Sequence, residues 1–261
     1  MNARVVAPVR GVRWIVEGAR LFASAPLGWM LLAFNYLVLT LILTRLPLIG
    51  SPLSLLLYPS FTVGFMVAGR ASALKQRVEM QMLVAGFQER VRSQLALGGL
   101  YLAGVALAIL GSSLVDGGAL LEVFVGEPPA GEAAPPSVSP RAGVLAALVL
   151  MLPTAMLVFF APLLVAWHAM PPLKAAFFSF FACLLNWRAF AIYLVFGIVL
   201  MILASNLAFA LALALAGPAG RANPGSLLSV VFLTMMLVAL PVMMASFYAS
   251  YRDLFGTSGE G

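Results

Sequence analysis

The sequence predicts an all-α fold, a polytopic membrane helix bundle of about six transmembrane helices with three cytoplasmic interfacial helices. Three observations predict it. Hydrophobic residues make up 63% of the 261-residue chain and charged residues only 9%, against about 25% charged in soluble domains. Several apolar runs exceed the ~20 residues needed to cross a hydrocarbon core about 30 Å thick. The cations, finally, gather in the short segments between those runs. Such a composition cannot cover a water-exposed surface, because apolar area left in water is unfavourable by roughly 25 cal/mol per Å².

Six spans follow from the runs, at about 27–44, 52–69, 95–115, 144–167, 189–216 and 227–248. Lipid offers the backbone no hydrogen-bond partner, so spans of this length must be α-helical. Pro47, Gly50, Pro52 and Pro59 punctuate the second, which reads either as one irregular span or as a hairpin entering from the outer side. Arg4, Arg10 and Arg13 precede the first long run, and no short apolar region ends in a small-residue cleavage site. The expectation is an uncleaved first span and no signal peptide.

Charge sets the orientation. With the N-terminus in the cytoplasm, twelve of the fifteen Lys and Arg residues fall on the inner side, leaving only Arg45, Arg141 and Arg221 outside. That imbalance predicts both termini on the cytoplasmic side of the membrane. The net charge of +6 therefore reads as positive-inside topology, and no nucleic acid is expected as a partner. Asp116, Glu122, Glu127 and Glu132 go outside, in a Pro- and Ala-rich acidic loop over 116–142 that is expected to be flexible.

The inner segments carry helical patterns of their own. Arg10, Arg13, Glu17 and Arg20 recur at spacings of three and four, with Trp14, Ile15, Leu21 and Phe22 on the remaining faces. Met80, Leu83, Val84, Phe87 and Val91 repeat the arrangement opposite Gln81, Gln88 and Arg92. Between Lys174 and Arg188, small and polar residues (Ala175, Ser179, Ala182, Cys183, Asn186) share one face, and Phe177, Phe180, Phe181 and Leu184 the other. All three read as helices in the membrane interface. Their cations Arg10, Arg13, Arg20, Arg90, Arg92, Lys174 and Arg188 are the candidate contacts for anionic headgroups on the cytoplasmic side.

Interfacial helix, span, span thus recurs in three units, 9–70, 74–168 and 173–252, within a single integral membrane domain. Pro59 lies eleven residues before Arg70, Pro162 twelve before Lys174 and Pro241 eleven before Arg252. These three prolines are the candidate helix kinks, packed around the centre of a threefold parallel repeat whose axis runs along the membrane normal.

Missing chemistry narrows the function. No Asp, Glu, Lys or Arg falls inside a predicted span, whereas ion-coupled pumps place ionisable groups at membrane depth. Asn35, Tyr36, Ser112, Ser113, Ser205 and Asn206 are the polar groups within spans, and interhelical hydrogen bonds are the role expected of most. His168 is the only histidine and Cys183 the only cysteine. The first reads as part of an aromatic belt and the second as small-residue packing; neither makes a catalytic or metal constellation. The Gly-rich "GGLYLAGVALAILG" suits close helix packing and lacks the phosphate-cradling GxxxxGK[ST] pattern. No enzyme activity and no cofactor are expected.

The stretches "RGVRWIVEGARLFASAPLGWML", "LPLIGSPLSLLLYPSFTVGFM", "LVAGFQERVR" and "FAPLLVAWHAMPPLKAAFFSFFACLLNWRAFAIY" resemble a family of proteobacterial six-span inner-membrane proteins. The resemblance covers nearly the whole chain outside the acidic loop. It implies inner-membrane placement and brings no activity or binding residues. The coarse plan is also similar to the membrane domain of glycerophosphodiester phosphodiesterases, without a catalytic domain. The functional expectation is a binding, scaffold or envelope-organising role, with membrane lipids and another membrane protein as partners. The alternative is a permease or lipid-translocating protein for an apolar or zwitterionic cargo.

Overall fold

The computed structural model describes residues 3–88, 90–121, 140–222 and 224–256. Among the described residues, ten α-helices follow in order: α1 (Arg10–Ser24), α2 (Pro26–Thr44), α3 (Gly50–Ala73), α4 (Ala85–Gln88), α5 (Val91–Asp116), α6 (Pro140–Val158), α7 (Ala161–His168), α8 (Pro172–Leu185), α9 (Trp187–Ala222) and α10 (Pro224–Phe255). A 3₁₀ turn, Met80–Val84, leads into α4. No strand occurs among the described residues. Six segments are long and apolar enough to cross a membrane: α2, α3, α5, α6 with α7, α9 and α10. The chain is an all-α polytopic bundle.

Residues 50–73 resolve the ambiguity around the second span: they form one continuous helix with Pro59 inside it. The interfacial segments fare unevenly. α1 and α8 form where the patterns predict them. The second stops short, because a five-residue 3₁₀ turn and the four residues of α4 replace a longer helix. Arg90 then turns left-handed at φ 50, and Val91 already starts the next span. Glu122, Glu127, Glu132 and most of the 116–142 loop lie outside the described residues. Asp116, predicted in that loop, instead closes α5. It is buried, and its carboxylate accepts from the backbone N–H groups of Gly118 and Leu120, both at 3.0 Å.

Burial concentrates at the end of the bundle where most of the basic segments gather, here termed the basic face. α2 buries Trp29, Leu32 and Ala33 near its start, α3 buries mainly the stretch from Pro59 onward, and α10 buries Ala245–Tyr251 with Leu254 and Phe255. α9 leaves most of its length exposed. Apolar side chains facing hydrocarbon carry no hydrophobic penalty, so the far halves of the spans have no need to close on one another.

Each interfacial element packs on the hairpin that precedes it, taken cyclically. α1 lies against α9 and α10, the Met80–Gln88 segment against α2 and α3, and α8 against α6 and α7. Small residues permit the approach. A Cβ on Gly18 would stand 2.5 Å from the backbone N of Ser246, and one on Gly64 would stand 2.5 Å from the carbonyl O of Leu83.

The prolines need one correction. Pro59 and Pro241 lie within α3 and α10, fourteen residues before their ends. In the second hairpin the matching residue is Pro153, inside α6 and fifteen residues before the end of α7, and Pro162 is not the equivalent. Pro162 instead opens α7 in its first turn, where the N–H it lacks would have had no helical partner. The fourth span breaks just before it, at Phe159–Phe160.

Ser179 of α8 holds that break. Its hydroxyl accepts from the Phe160 N–H at 2.8 Å and donates to the Met156 carbonyl at 2.7 Å. It is inserted into the rung that these two groups would otherwise share. Ser179→Ala strands a buried donor and a buried acceptor, each worth about 1–3 kcal/mol. The expected outcome is a drop of several degrees in Tm in detergent; an unchanged melting curve would show that the break needs no clamp.

Candidate functional site

The candidate site is the basic face itself. Six of the seven predicted headgroup cations, Arg13, Arg20, Arg90, Arg92, Lys174 and Arg188, are exposed there. Arg90 also donates to the Ala169 carbonyl at 3.4 Å, and the Arg188 guanidinium lies 5.5 Å from the centre of the Trp187 ring. On α8 the small face turns inward, with Ala175, Ser179 and Ala182 at 0% exposure, while Phe177, Phe181 and Leu184 are exposed. Cys183 sits within that packed face, where burial pushes its thiol up to about 12. The thiol therefore stays protonated and unreactive near neutral pH.

Arg10 departs from the pattern because it faces inward. Its Nε and Nη2 both donate to Asp253 near the end of α10, and Trp14 Nε1 donates to the same carboxylate at 2.6 Å. Glu17 accepts from Arg252 at 2.8 Å and lies 3.2 Å from Arg10. Two arginines and two acids thus form a neutral network that fastens α1 to α10. Spacing on the α1 face could not reveal this, since both Asp253 and Arg252 come from more than 230 residues away.

Asn186 anchors the N-terminal segment to the same face. Its Oδ1 accepts from the Val6 N–H at 2.8 Å, and its Nδ2 donates to the carbonyls of Arg4 and Ala182. The Arg4 N–H in turn donates to the Leu254 carbonyl. An amide has two donors and an acceptor in one plane, so a single side chain ties the N-terminal segment to the end of α8.

At the middle of the face a cavity of about 230 Å³ opens between the last turns of α3, α7 and α10. Arg70, His168 and Arg252 stand around it, with Trp167, Tyr248, Tyr251 and Phe255 as walls. His168 Nε2 and the Tyr251 hydroxyl share a 2.7 Å hydrogen bond, and the Arg70 guanidinium lies 5.9 Å from the Trp167 ring centre. His168 is therefore a cavity residue as well as a member of an aromatic cluster. Its neighbours Arg70 and Arg252 carried a signal in the sequence, each eleven residues after a proline inside its helix.

Farther in, the bundle is filled by rings. Pro59, Pro162 and Pro241 are all buried. Phe160 packs against Phe255 at 5.3 Å, Phe247 at 5.5 Å and Phe190 at 6.0 Å between centroids. The polar span residues expected to bridge helices bond locally instead, while Gln94 donates across to the Pro162 carbonyl at 2.9 Å and Tyr193 shares a 2.7 Å hydrogen bond with Ser246. Asn35, Ser112, Ser113, Ser205 and Asn206 bond carbonyls one turn back in their own helices. Tyr36 places its ring edge-on to Phe61 and Phe65. In lipid, a neighbouring carbonyl on the same helix satisfies a hydroxyl or amide without any constraint on packing.

No family model and no solved structure matches the chain. It is 35% identical, over 262 aligned positions, to a Burkholderia thailandensis protein described as a "Probable inner membrane protein". The match covers 98% of this chain and 94% of that one. The six apolar helices fit that description: the chain is a multi-pass inner membrane protein and belongs to the family of this Burkholderia protein.

Proposed function

We propose that this is a non-enzymatic binding protein that organises or assists another membrane component from the cytoplasmic side, with both chain ends in the cytoplasm. The observation that carries the reading is the basic face: six exposed cations accompany an internally neutral ion network at one end of an otherwise apolar bundle. Twelve of the fifteen cations belong to that end, which supports the cytoplasmic orientation. The cyclic packing of interfacial elements on preceding hairpins supports a single domain built from three parallel units. The aromatic filling around Phe160 weighs against the permease reading, which needs a path for cargo past those rings.

Anionic headgroups are the first partners of this face, at about 1 kcal/mol per cation near the surface. The test is the lipid retained after extraction in mild detergent. The wild type is expected to hold phosphatidylglycerol in preference to phosphatidylethanolamine. Replacing Arg13, Arg20, Arg92, Lys174 and Arg188 with Gln is expected to reduce that preference at least several-fold. An unchanged ratio sinks the headgroup assignment, and proteins in the same eluate identify the membrane partner.

A further inference from the structure

The break in the fourth span is a feature that a binding role leaves unused. Arg141–His168 is an apolar stretch of 28 residues, which as one helix would measure about 42 Å at 1.5 Å per residue. The hydrocarbon core is only about 30 Å thick. α6 alone, with 19 residues, measures about 28 Å. The break at Phe159–Phe160 therefore leaves a segment matched to the core and frees α7 to take its own direction. Length alone does not cause it, because Trp187–Leu215 and Leu227–Phe255 are 29 residues each and run through.

What sets the fourth span apart is what its interfacial helix brings to it. Five residues after Pro59 stands Gly64, against the Leu83 backbone, and five after Pro241 stands Ser246, against Gly18 of α1. Both contacts are close packing, and both helices continue past them. Five residues after Pro153 stands Val158, where α6 ends. There α8 delivers a hydroxyl instead: Ser179, at 0% exposure, takes both the Phe160 N–H and the Met156 carbonyl. Beyond the break, Gln94 of α5 holds the first turn of α7 through the Pro162 carbonyl. Withdrawal of Ser179 would let the Phe160 N–H return to the Met156 carbonyl four residues back, giving a continuous span kinked at Pro162. Either arrangement satisfies both groups.

α8 is the element that the bilayer can move. Its 14 residues are too few to cross the core. Phe177, Phe181, Leu184 and Leu185 are exposed along it, and the exposed cations Lys174 and Arg188 flank them. Apolar side chains among acyl chains, with cations at the headgroups, tie a helix to the level of the interface. We infer that the fourth span is a hinge that responds to bilayer thickness, with Ser179 as its catch. A thin core favours the broken form, because a stretch longer than the core adapts by tilting or kinking. A thicker core removes that demand and carries α8 outward with the headgroups, so Ser179 leaves the rung and the span becomes continuous. The bilayer shifts the balance because the two forms offer it different lengths of apolar helix. This goes beyond the binding role and requires no anionic lipid.

The experiment uses the full-length protein in nanodiscs of dimyristoleoyl, dioleoyl or dierucoyl phosphatidylcholine, a series of increasing thickness. Spin labels on Leu148→Cys in α6 and Ala169→Cys after α7, both exposed positions, report the distance across the break by pulsed electron resonance. Cys183 is buried and stays unlabelled. The distance is expected to lengthen by several Å from the thinnest to the thickest bilayer. A second pair on the unbroken α10, Val230→Cys with Met243→Cys, should keep one distance throughout. Ser179→Ala removes the catch: the freed N–H and carbonyl can be satisfied only by each other, so the long distance should already dominate in the thinnest bilayer. Should Ser179→Ala fail to fold, Pro162→Ala serves, because it restores a backbone donor to a continuous helix and should shift the distance the same way. The lipid is zwitterionic, so loss of the anionic-headgroup assignment would leave this result standing. A distance that ignores thickness, an equal change in the α10 pair, or wild-type distances in both the Ser179 and Pro162 variants overturns the inference.

Discussion

Asp253→Ala is expected to loosen α1 from the bundle and lower stability by about 2–3 kcal/mol. The carboxylate accepts three hydrogen bonds, two from Arg10 and one from the fully buried Trp14. Removing one member of a buried ion pair costs about 3–5 kcal/mol when the partner charge is left without compensation. Here the loss is smaller, because Arg10 keeps Glu17 at 3.2 Å and its side chain is 24% exposed. What cannot be recovered is the indole N–H, which has no other partner close by in this packing and adds the cost of an unmade buried bond. The measurement is Tm in detergent paired with trypsin digestion at Arg13 and Arg20. Tm should fall by several degrees and cleavage should accelerate. Asp253→Asn, which still offers an acceptor to Trp14, should fall between wild type and Ala. A variant that melts and digests as the wild type does would mean that α1 is held by apolar packing alone.

The second large effect separates two adjacent glycines. Gly98→Ala is expected to destabilise the α3–α5 contact by about 1–3 kcal/mol, while Gly99→Ala should be neutral or stabilising by up to about 1 kcal/mol. A Cβ on Gly98 would stand 1.9 Å from the carbonyl O of Leu56, and 2.7 Å from its C, so backbone would have to yield to backbone. Nothing lies within 4 Å of the same atom on Gly99. Gly98 keeps ordinary helical geometry in α5; the demand on it is space alone. Thermal melts of the two variants side by side give the answer, and equal Tm values would dissolve the proposed contact.

The same pair shows where sequence reading ends. "GGLYLAGVALAILG" announces close helix packing, since small residues are what let backbones approach in lipid. It does not say which of two neighbouring glycines faces a partner, because a rotation of one residue about the helix axis decides that. Arg10 and Arg13 repeat the lesson on α1. Both fit one amphipathic face, yet Asp253 draws in Arg10 and leaves Arg13 exposed. Pro162 has the spacing of an internal kink, but the helix had already broken at Phe159–Phe160 under the hydroxyl of Ser179.

The fold class, the six spans and two of the three amphipathic surface helices were determined by local chemistry: the length and apolarity of each run, and the periodicity of its polar residues. Lipid as solvent acts on every segment independently, so a segment needs no partner to declare itself. The ion network around Asp253, the rotation that turns Gly98 inward, and the meeting of Arg70, His168 and Arg252 were decided by tertiary structure alone. Each depends on groups far apart along the chain reaching one point, and hydropathy carries no record of which helix ends meet.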